Sequence, residues 1–314
     1  MTAGTDSECG AAAGPAARAV RPQAGAAGRV LVLGASGRLG SLCRAAWGDG
    51  PPAIWQARRP VGGAARFDLL AAADRPAFRA VAERADVILG LAGPAGPGER
   101  PDLHADLARA ILETARESGV RHVFLASSAA VYGDPGAHPV PEDARCAPVS
   151  DYGRAKLAME AAARRWLAAA PSPRPGVTCL RIGNVAGADQ LLGRPATAAP
   201  VALDMIPGHG APRRSYLGPS LLTALLQRLV ARARQGGAMP FRLNLAADGA
   251  PGMDALLDAA GRAWRPVKPA GPVIATVHLD ITRLQGLCGP VPAADPAAIV
   301  ADLALIRRAA EEPR

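Results

Sequence analysis

Tyr152 and Lys156 stand four residues apart in the segment Asp151-Tyr-Gly-Arg-Ala-Lys156. On a helix, residues i and i+4 share a face, so a phenol and an ammonium at this spacing can reach one ligand. A neighbouring cation favours phenolate and draws a tyrosine's pKa down from ~10 toward neutrality. Such a phenol can take a proton from a hydroxyl or return one to a carbonyl. Composition sharpens the signal: the chain has three tyrosines and two lysines, Lys156 and Lys268, and one of each falls at this spacing.

A second polar group lies upstream. The apolar run Arg121-His-Val-Phe-Leu-Ala-Ser127 reads as a strand, and Ser128-Ala-Ala-Val-Tyr-Gly-Asp134 continues from it. Parallel sheets bind ligands at the carboxyl ends of their central strands. A serine hydroxyl there can hydrogen-bond a reacting oxygen, and Ser127 and Ser128 both qualify by position. Either could equally satisfy nearby backbone groups.

A third feature opens the ordered part of the sequence. Gly34-Ala-Ser36-Gly37-Arg38-Leu39-Gly40 directly follows the strand-like Arg29–Gly34 run and leads into a helical stretch ending near Trp47. Gly34 permits a tight turn, Gly37 lets the backbone approach a pyrophosphate, and Gly40 lets the helix pack close to the strand. The helix N-terminus then presents free N–H groups to the negative charge. The next strand, Ala53–Ala57, ends in Arg58-Arg59 with no carboxylate to hold ribose hydroxyls. Arg58, helped by Arg38 or Arg59, suits a 2′-phosphate, which leans the cofactor from NAD toward NADP; the other reading is a solvated surface arginine.

Taken together, G-x-x-G-x-x-G, S-S-x-x-V-Y-G, Y-x-x-x-K and Leu180-Arg-Ile-Gly183-Asn184-Val-Ala-Gly187 resemble the extended short-chain dehydrogenase/reductases of the NAD-dependent epimerase/dehydratase family, whose members include sugar-nucleotide epimerases. The resemblance covers residues 29–187, with fainter echoes in Arg214-Ser-Tyr216-Leu217 and in Asp280 to Pro290. It implies an α/β fold, a doubly wound parallel sheet (Rossmann) with a small C-terminal α/β substrate subdomain. It implies catalysis by Ser128, the second of the two serines, with Tyr152 and Lys156. It implies cofactor contacts from Gly34, Ser36, Gly37, Arg38, Leu39, Gly40, Arg58, Asp68, Leu69, Leu91, Ala92, Gly93, Tyr152, Lys156 and Gly183, with Asp68 at the adenine amino group. Ser128 and Asn184 would touch the substrate, and no metal is implied. The expected function is NAD(P)-dependent epimerisation or reduction of a sugar or nucleotide-sugar-like alcohol or ketone, by Tyr-assisted hydride transfer. The alternative is a non-catalytic NADP-binding redox-sensing regulator of the same fold, against which the Tyr/Lys pair counts.

Three departures stand out. His104 replaces the family's usual asparagine and reads as a helix-surface histidine in preference to a substrate contact. Ser220 and Leu221 replace acidic residues after the Arg214 segment. Ala129 and Ala130 replace an Asp-Glu pair, which ranks dehydration last.

The elements needed to position these groups are present. Strands at about 53–57, 64–67, 86–92, 121–127 and 177–182 alternate with helices at about 74–84, 101–118 and 151–169, as a doubly wound sheet requires. Residues 28–187 form the expected NAD(P)-binding domain. Residues 188–314 are mainly substrate-binding, with some segments returning to the sheet, and residues 1–27 read as a disordered tail. The 314 residues are 49% apolar and 4% aromatic, so aliphatic packing of helices on a sheet must supply the core. The +9 net charge is nearly all arginine, scattered and never in a run of five or more, which argues against a nucleic-acid partner. Cys9, Cys43, Cys146, Cys179 and Cys288 are odd in number and unpaired by spacing, as in a reducing compartment. No apolar run approaches the ~18 residues of a membrane span, and a cytoplasmic location is expected. Relatives commonly dimerise, and the helices near 101–118 and 151–169 are the candidates for a homodimer.

Overall fold

The computed structural model describes residues 29–93, 102–194 and 199–311. The tail assigned to residues 1–27 lies outside the described residues. The first half alternates strand and helix: β1 (Val30–Leu33), α1 (Arg38–Ala45), β2 (Ala53–Ala57), β3 (Ala65–Arg66), α2 (Arg75–Ala82), β4 (Val87–Gly90), α3 (Leu103–Glu117), β5 (His122–Ser128), α4 (Asp151–Ala169) and β6 (Gly176–Ile182). The second half runs β7 (Asn184–Val185), β8 (Val201–Asp204), β9 (Arg213–Arg214), β10 (Tyr216–Leu217), α5 (Pro219–Arg234), β11 (Arg242–Leu245), α6 (Met253–Ala259), β12 (Trp264–Val267), β13 (Thr276–Val277), α7 (Thr282–Cys288) and α8 (Pro296–Glu311).

Seven strands form one sheet in the order β11-β6-β5-β4-β1-β2-β3, and every pairing in it is parallel. The central strands are apolar without alternation because both faces are covered. In β1, Val30 and Val32 face one layer, which includes Leu222, Leu226 and Leu229 of α5. Leu31 and Leu33 face the other, with Phe78 of α2, Ile111 of α3 and Met159 of α4. This period of two puts four fully buried side chains into two cores at once. Between β1 and β4 the strand order reverses direction. Helices leave on opposite faces there, opening a crevice at the carboxyl ends.

The region after Gly187 was legible only in part. Residues 188–213 have no periodicity, yet β8 forms there, and β12 was also missed. Of the apolar stretch 273–277 only β13 pairs as a strand. These strands pair two by two, β10 with β7, β12 with β8 and β13 with β9, all parallel. Partners this distant in sequence leave no local turn signal. A third apolar cluster, with Leu192, Leu203, Tyr216, Leu257 and Leu303, holds the pairs against α6 and α8. α5 covers the main sheet and β11 extends it beside β6.

Candidate active site

The glycine turn sits at the mouth of the β1/β4 crevice. Gly34 has φ +94°, and a Cβ there would stand 2.7 Å from the Ala92 backbone at the end of β4. A Cβ on Gly40 would overlap the Gly34 carbonyl oxygen, so α1 starts directly against the turn. Gly37 caps α1 in an extended conformation with no side-chain cap, leaving the first-turn N–H groups without a side-chain acceptor. Ser36 and Leu39 are half-buried, and Leu91 is tied to Leu33 by its backbone N–H (3.1 Å). Ala92 and Gly93 continue along the same rim.

Arg38 reaches the segment after β7. Its Nη1 donates to the Ala188 carbonyl (3.1 Å) across the crevice, and its charge is felt at Tyr152. At the far end, Arg58 keeps 75% of its side-chain surface and lies 4.0 Å from the Asp68 carboxylate. That carboxylate also accepts from the Leu70 N–H, and Leu69 beside it is buried.

α4 carries the Tyr/Lys pair. Ser150 caps it, accepting from the Gly153 N–H (3.1 Å), and Asp151 complements the positive end of the helix. Lys156 is buried and donates from Nζ to the Ala126 carbonyl (2.7 Å), 5.6 Å from the Tyr152 ring centre. Burial lowers its pKa to about 8, although Cys179 and Glu160 oppose the shift. Tyr152 keeps 45% of its surface, yet burial of its hydroxyl end raises its pKa. The Ser128 hydroxyl, by hydrogen bonding, and then the Arg38 charge pull the other way. The sequence points to an acidified phenol; here desolvation outweighs the Ser128 hydrogen bond and the Arg38 charge.

The strand alternation separates the two serines. Ser127 points to the buried side and donates to Glu160 (2.6 Å). Ser128 points the other way, accepts from the Ala130 N–H and is hydrogen-bonded with the Tyr152 phenol. Gly183, just past β6, donates its N–H to the Leu245 carbonyl. Asn184 pairs with Tyr216, whose hydroxyl it hydrogen-bonds and which donates to Asp189 (2.6 Å). The structure thus brings Ser128, Tyr152, Lys156, the glycine turn and the Leu91–Gly93 rim to one crevice. Arg58 and Asp68 stand at its far end.

His104 is not on the helix surface as expected. It is 4% exposed, turned inward on α3, and meets Tyr152 edge to face with ring centres 5.9 Å apart. The apolar face of α3 also holds Ala108, Ile111 and Ala115, and His104 lies one turn before that stripe.

A polar network behind α4 also escaped the sequence reading. Arg181 on β6, fully buried, grips Glu160 with two bonds (3.0 and 2.7 Å) and donates to the Glu142 carbonyl. Asn244 donates its backbone N–H to the Glu142 carboxylate and accepts from the Tyr132 hydroxyl (2.7 Å). The available signals were an arginine inside an apolar strand and one of only two asparagines in the chain.

Two buried imidazoles set a pH dependence. Burial, then repulsion from Lys156, lowers the His104 pKa from 6.5 to about 3, and burial lowers His122 from 6.5 to about 4. The unfolded chain binds these protons near pH 6.5 and the folded chain does not. Stability is therefore full above that pH and falls as the solution is acidified toward 4. Unfolding free energies from urea titrations at pH 7 and pH 5 should differ by about 2 kcal/mol for each histidine. Single His104→Phe and His122→Phe proteins should each lose their share of the slope; unchanged slopes would contradict the assignment.

Among the described residues no cluster of three or more His, Cys, Asp or Glu could hold a metal ion, and no helix is long and apolar enough to cross a membrane. The sequence matches the NAD dependent epimerase/dehydratase family over residues 30–216, more than half its length. The chain belongs to that family. UDP-glucose 4-epimerase of Azospirillum brasilense is 41% identical over 96 residues, covering 31% of this chain and 26% of that protein. UDP-glucose 4-epimerase of Corynebacterium glutamicum is 33% identical over 106 residues, covering 32% and 31%. The chain thus matches about a quarter to a third of the length of these curated relatives. Among solved structures, a UDP-glucose-4-epimerase from Stenotrophomonas maltophila with bound NAD and formylated UDP-arabinopyranose superposes with a TM-score of 0.72 at 22% identity, covering 90% of this chain and 98% of that one. UDP-glucose 4-epimerase from Brucella ovis in complex with NAD gives 0.73 at 20% identity, covering 89% and 98%. At these identities the superpositions establish the epimerase/dehydratase family's fold for nearly the whole chain.

Proposed function

We propose that this chain is an NAD(P)-dependent epimerase of nucleotide sugars. The observation that carries the reading is the convergence of Ser128, Tyr152 and Lys156 at the crevice whose other wall is the glycine turn. The residues fit a dinucleotide: α1 opens without a side-chain cap, and Gly34 and Gly40 leave no side chain between its N-terminus and a pyrophosphate. Bound there, the nicotinamide supplies a reversible hydride acceptor. Tyr152 takes the proton from the substrate hydroxyl as the carbon–hydrogen bond is oxidised and returns it on reduction. Ser128 holds the same oxygen, and Lys156, mostly charged below its pKa of about 8, stabilises the phenolate.

In the region after Gly187, a cavity apart from the Ser128–Tyr152–Lys156 cluster suits a charged ligand. Its volume is about 590 Å³, and it is lined by Arg194, Arg214, Arg262, Gln190, Asp204 and Met253. Arg214 donates to the Arg213, Ala275 and Ile274 carbonyls and Arg262 to the Leu191 carbonyl, which fixes their charges at the cavity wall; with Arg194 they give a net positive lining that suits the diphosphate of a nucleotide sugar, the class bound by the epimerases this chain resembles. Incubation with cofactor and UDP-glucose should yield a 4-epimer separable by chromatography. Absence of turnover, together with no thermal stabilisation by any nucleotide sugar, would refute the reading.

For the cofactor we favour NADP. No carboxylate directly follows β2, and Arg58, exposed and only loosely paired with Asp68 at 4.0 Å, can meet a 2′-phosphate. Arg58→Ala is expected to weaken NADP binding by about tenfold and leave NAD within twofold, as measured by fluorescence titration. Equal loss for both cofactors would remove the 2′-phosphate role.

A further inference from the structure

Among the described residues that meet Tyr152, His104 has no role in the proposed chemistry. Ser128 meets the hydroxyl and Lys156 lies beneath the ring. The imidazole of His104 stands against the ring at an interplanar angle of 73°. We propose that His104 is a positioning residue for Tyr152, the aromatic wall that sets the phenol ring so that its hydroxyl stays at Ser128; this rests on the catalytic reading of Tyr152 given above.

Three features support it. First, the imidazole is enclosed where a surface histidine would be free. A Cβ on Gly93 would lie 2.9 Å from His104 Cε1, 3.1 Å from Nδ1 and 3.6 Å from Lys156 Nζ. The missing side chain at Gly93 is what leaves room for the ring, and it brings the imidazole and the ammonium to one spot. Second, the ring is uncharged in the neutral range. Burial and the Lys156 ammonium both hold it so, and it can pack edge to face without placing a second cation beside Lys156. Third, Tyr152 needs a wall. It sits in the first turn of α4 and keeps nearly half its surface, so neighbours on its own helix do not fix its χ angles. A reactive group displaced by ~1 Å can lose on the order of a hundredfold in rate.

The role predicted is that of a neutral ring, so phenylalanine should replace it and alanine or asparagine should not. With only three tyrosines in the chain, 3-fluorotyrosine labelling gives three ¹⁹F resonances, and Tyr152→Phe identifies the one of interest. His104→Ala should shift and broaden the Tyr152 line while leaving those of the buried Tyr132 and Tyr216 in place. His104→Phe should restore it. In turnover, His104→Ala should lower kcat about three- to tenfold with cofactor Kd unchanged, and His104→Phe should recover it. If the alanine protein does not fold, His104→Asn carries the same expectation. An unmoved Tyr152 line in the alanine or asparagine protein, or a phenylalanine protein as impaired as the alanine one, overturns the proposal. The ¹⁹F result stands without any turnover. Failure of the positioning role is thereby separable from failure of the enzymatic reading.

Discussion

Tyr152→Phe is expected to reduce kcat by about a thousandfold, within the range for removal of a general acid–base group, with cofactor Kd within about twofold of wild type. The substitution removes one oxygen and keeps the ring. The contacts with His104 and the packing above Lys156 survive, and only the bond with Ser128 and the transferable proton are lost. The raised phenol pKa makes this a demanding test. Burial holds the proton on, and the counter-pull comes from Ser128 and Arg38. A positively charged nicotinamide beside the hydroxyl would tip that balance further toward phenolate. Difference absorbance of phenolate should therefore appear at lower pH in the protein with oxidised cofactor than without it, and vanish in Tyr152→Phe. Turnover that survives in the phenylalanine protein would move proton transfer to another group and leave Tyr152 a structural role.

The second large effect is on stability. Arg181→Met is expected to cost about 3–5 kcal/mol, because it strands the Glu160 carboxylate in the core. Burial by itself would lower the Arg181 pKa, but the hydrogen bonds and charge of Glu160 raise it on balance. The guanidinium is thus held in its charged form. Ser127 and Arg242 also face Glu160, at 2.6 and 3.3 Å, and they do not replace the two bonds lost. The double substitution Arg181→Met with Glu160→Gln should recover part of the loss, because the core then holds no carboxylate and Arg242, which loses its partner, is partly exposed to water. Urea unfolding of the four proteins closes the cycle. A single substitution costing less than about 1 kcal/mol would show the pair to be solvated or replaceable.

The parts of this architecture that were legible in the sequence are those with a local cause. β1 to the start of α1 could be read because Gly34 and Gly40 answer backbone requirements within seven residues. Tyr152 and Lys156 could be read because a helix fixes the i, i+4 relation by itself. The choice of Ser128 over Ser127 came from resemblance; the geometric reason is the pleat, which sends Ser127 to Glu160 and Ser128 to the phenol. His104 was misjudged because its burial depends on Gly93 and on α4, neither of which is near it in the chain. The Arg181–Glu160–Glu142–Asn244 network and the paired strands after Gly187 depend wholly on partners far along the chain. No period or spacing encodes them.

Those late parallel pairs carry a consequence for how the molecule comes into being. A parallel pair cannot be closed by a hairpin, so β8 waits for β12 and β9 waits for β13. A nascent chain emerging from the ribosome through β6 already owns its glycine turn, Ser128, Tyr152 and Lys156. Every residue lining the arginine-rich cavity, from Gln190 to Val273, is still to come at that moment. Chains are born N-terminus first and distant contacts close slowly. During synthesis, then, the glycine turn and the Tyr152–Lys156 pair are in place before any part of the arginine-lined cavity.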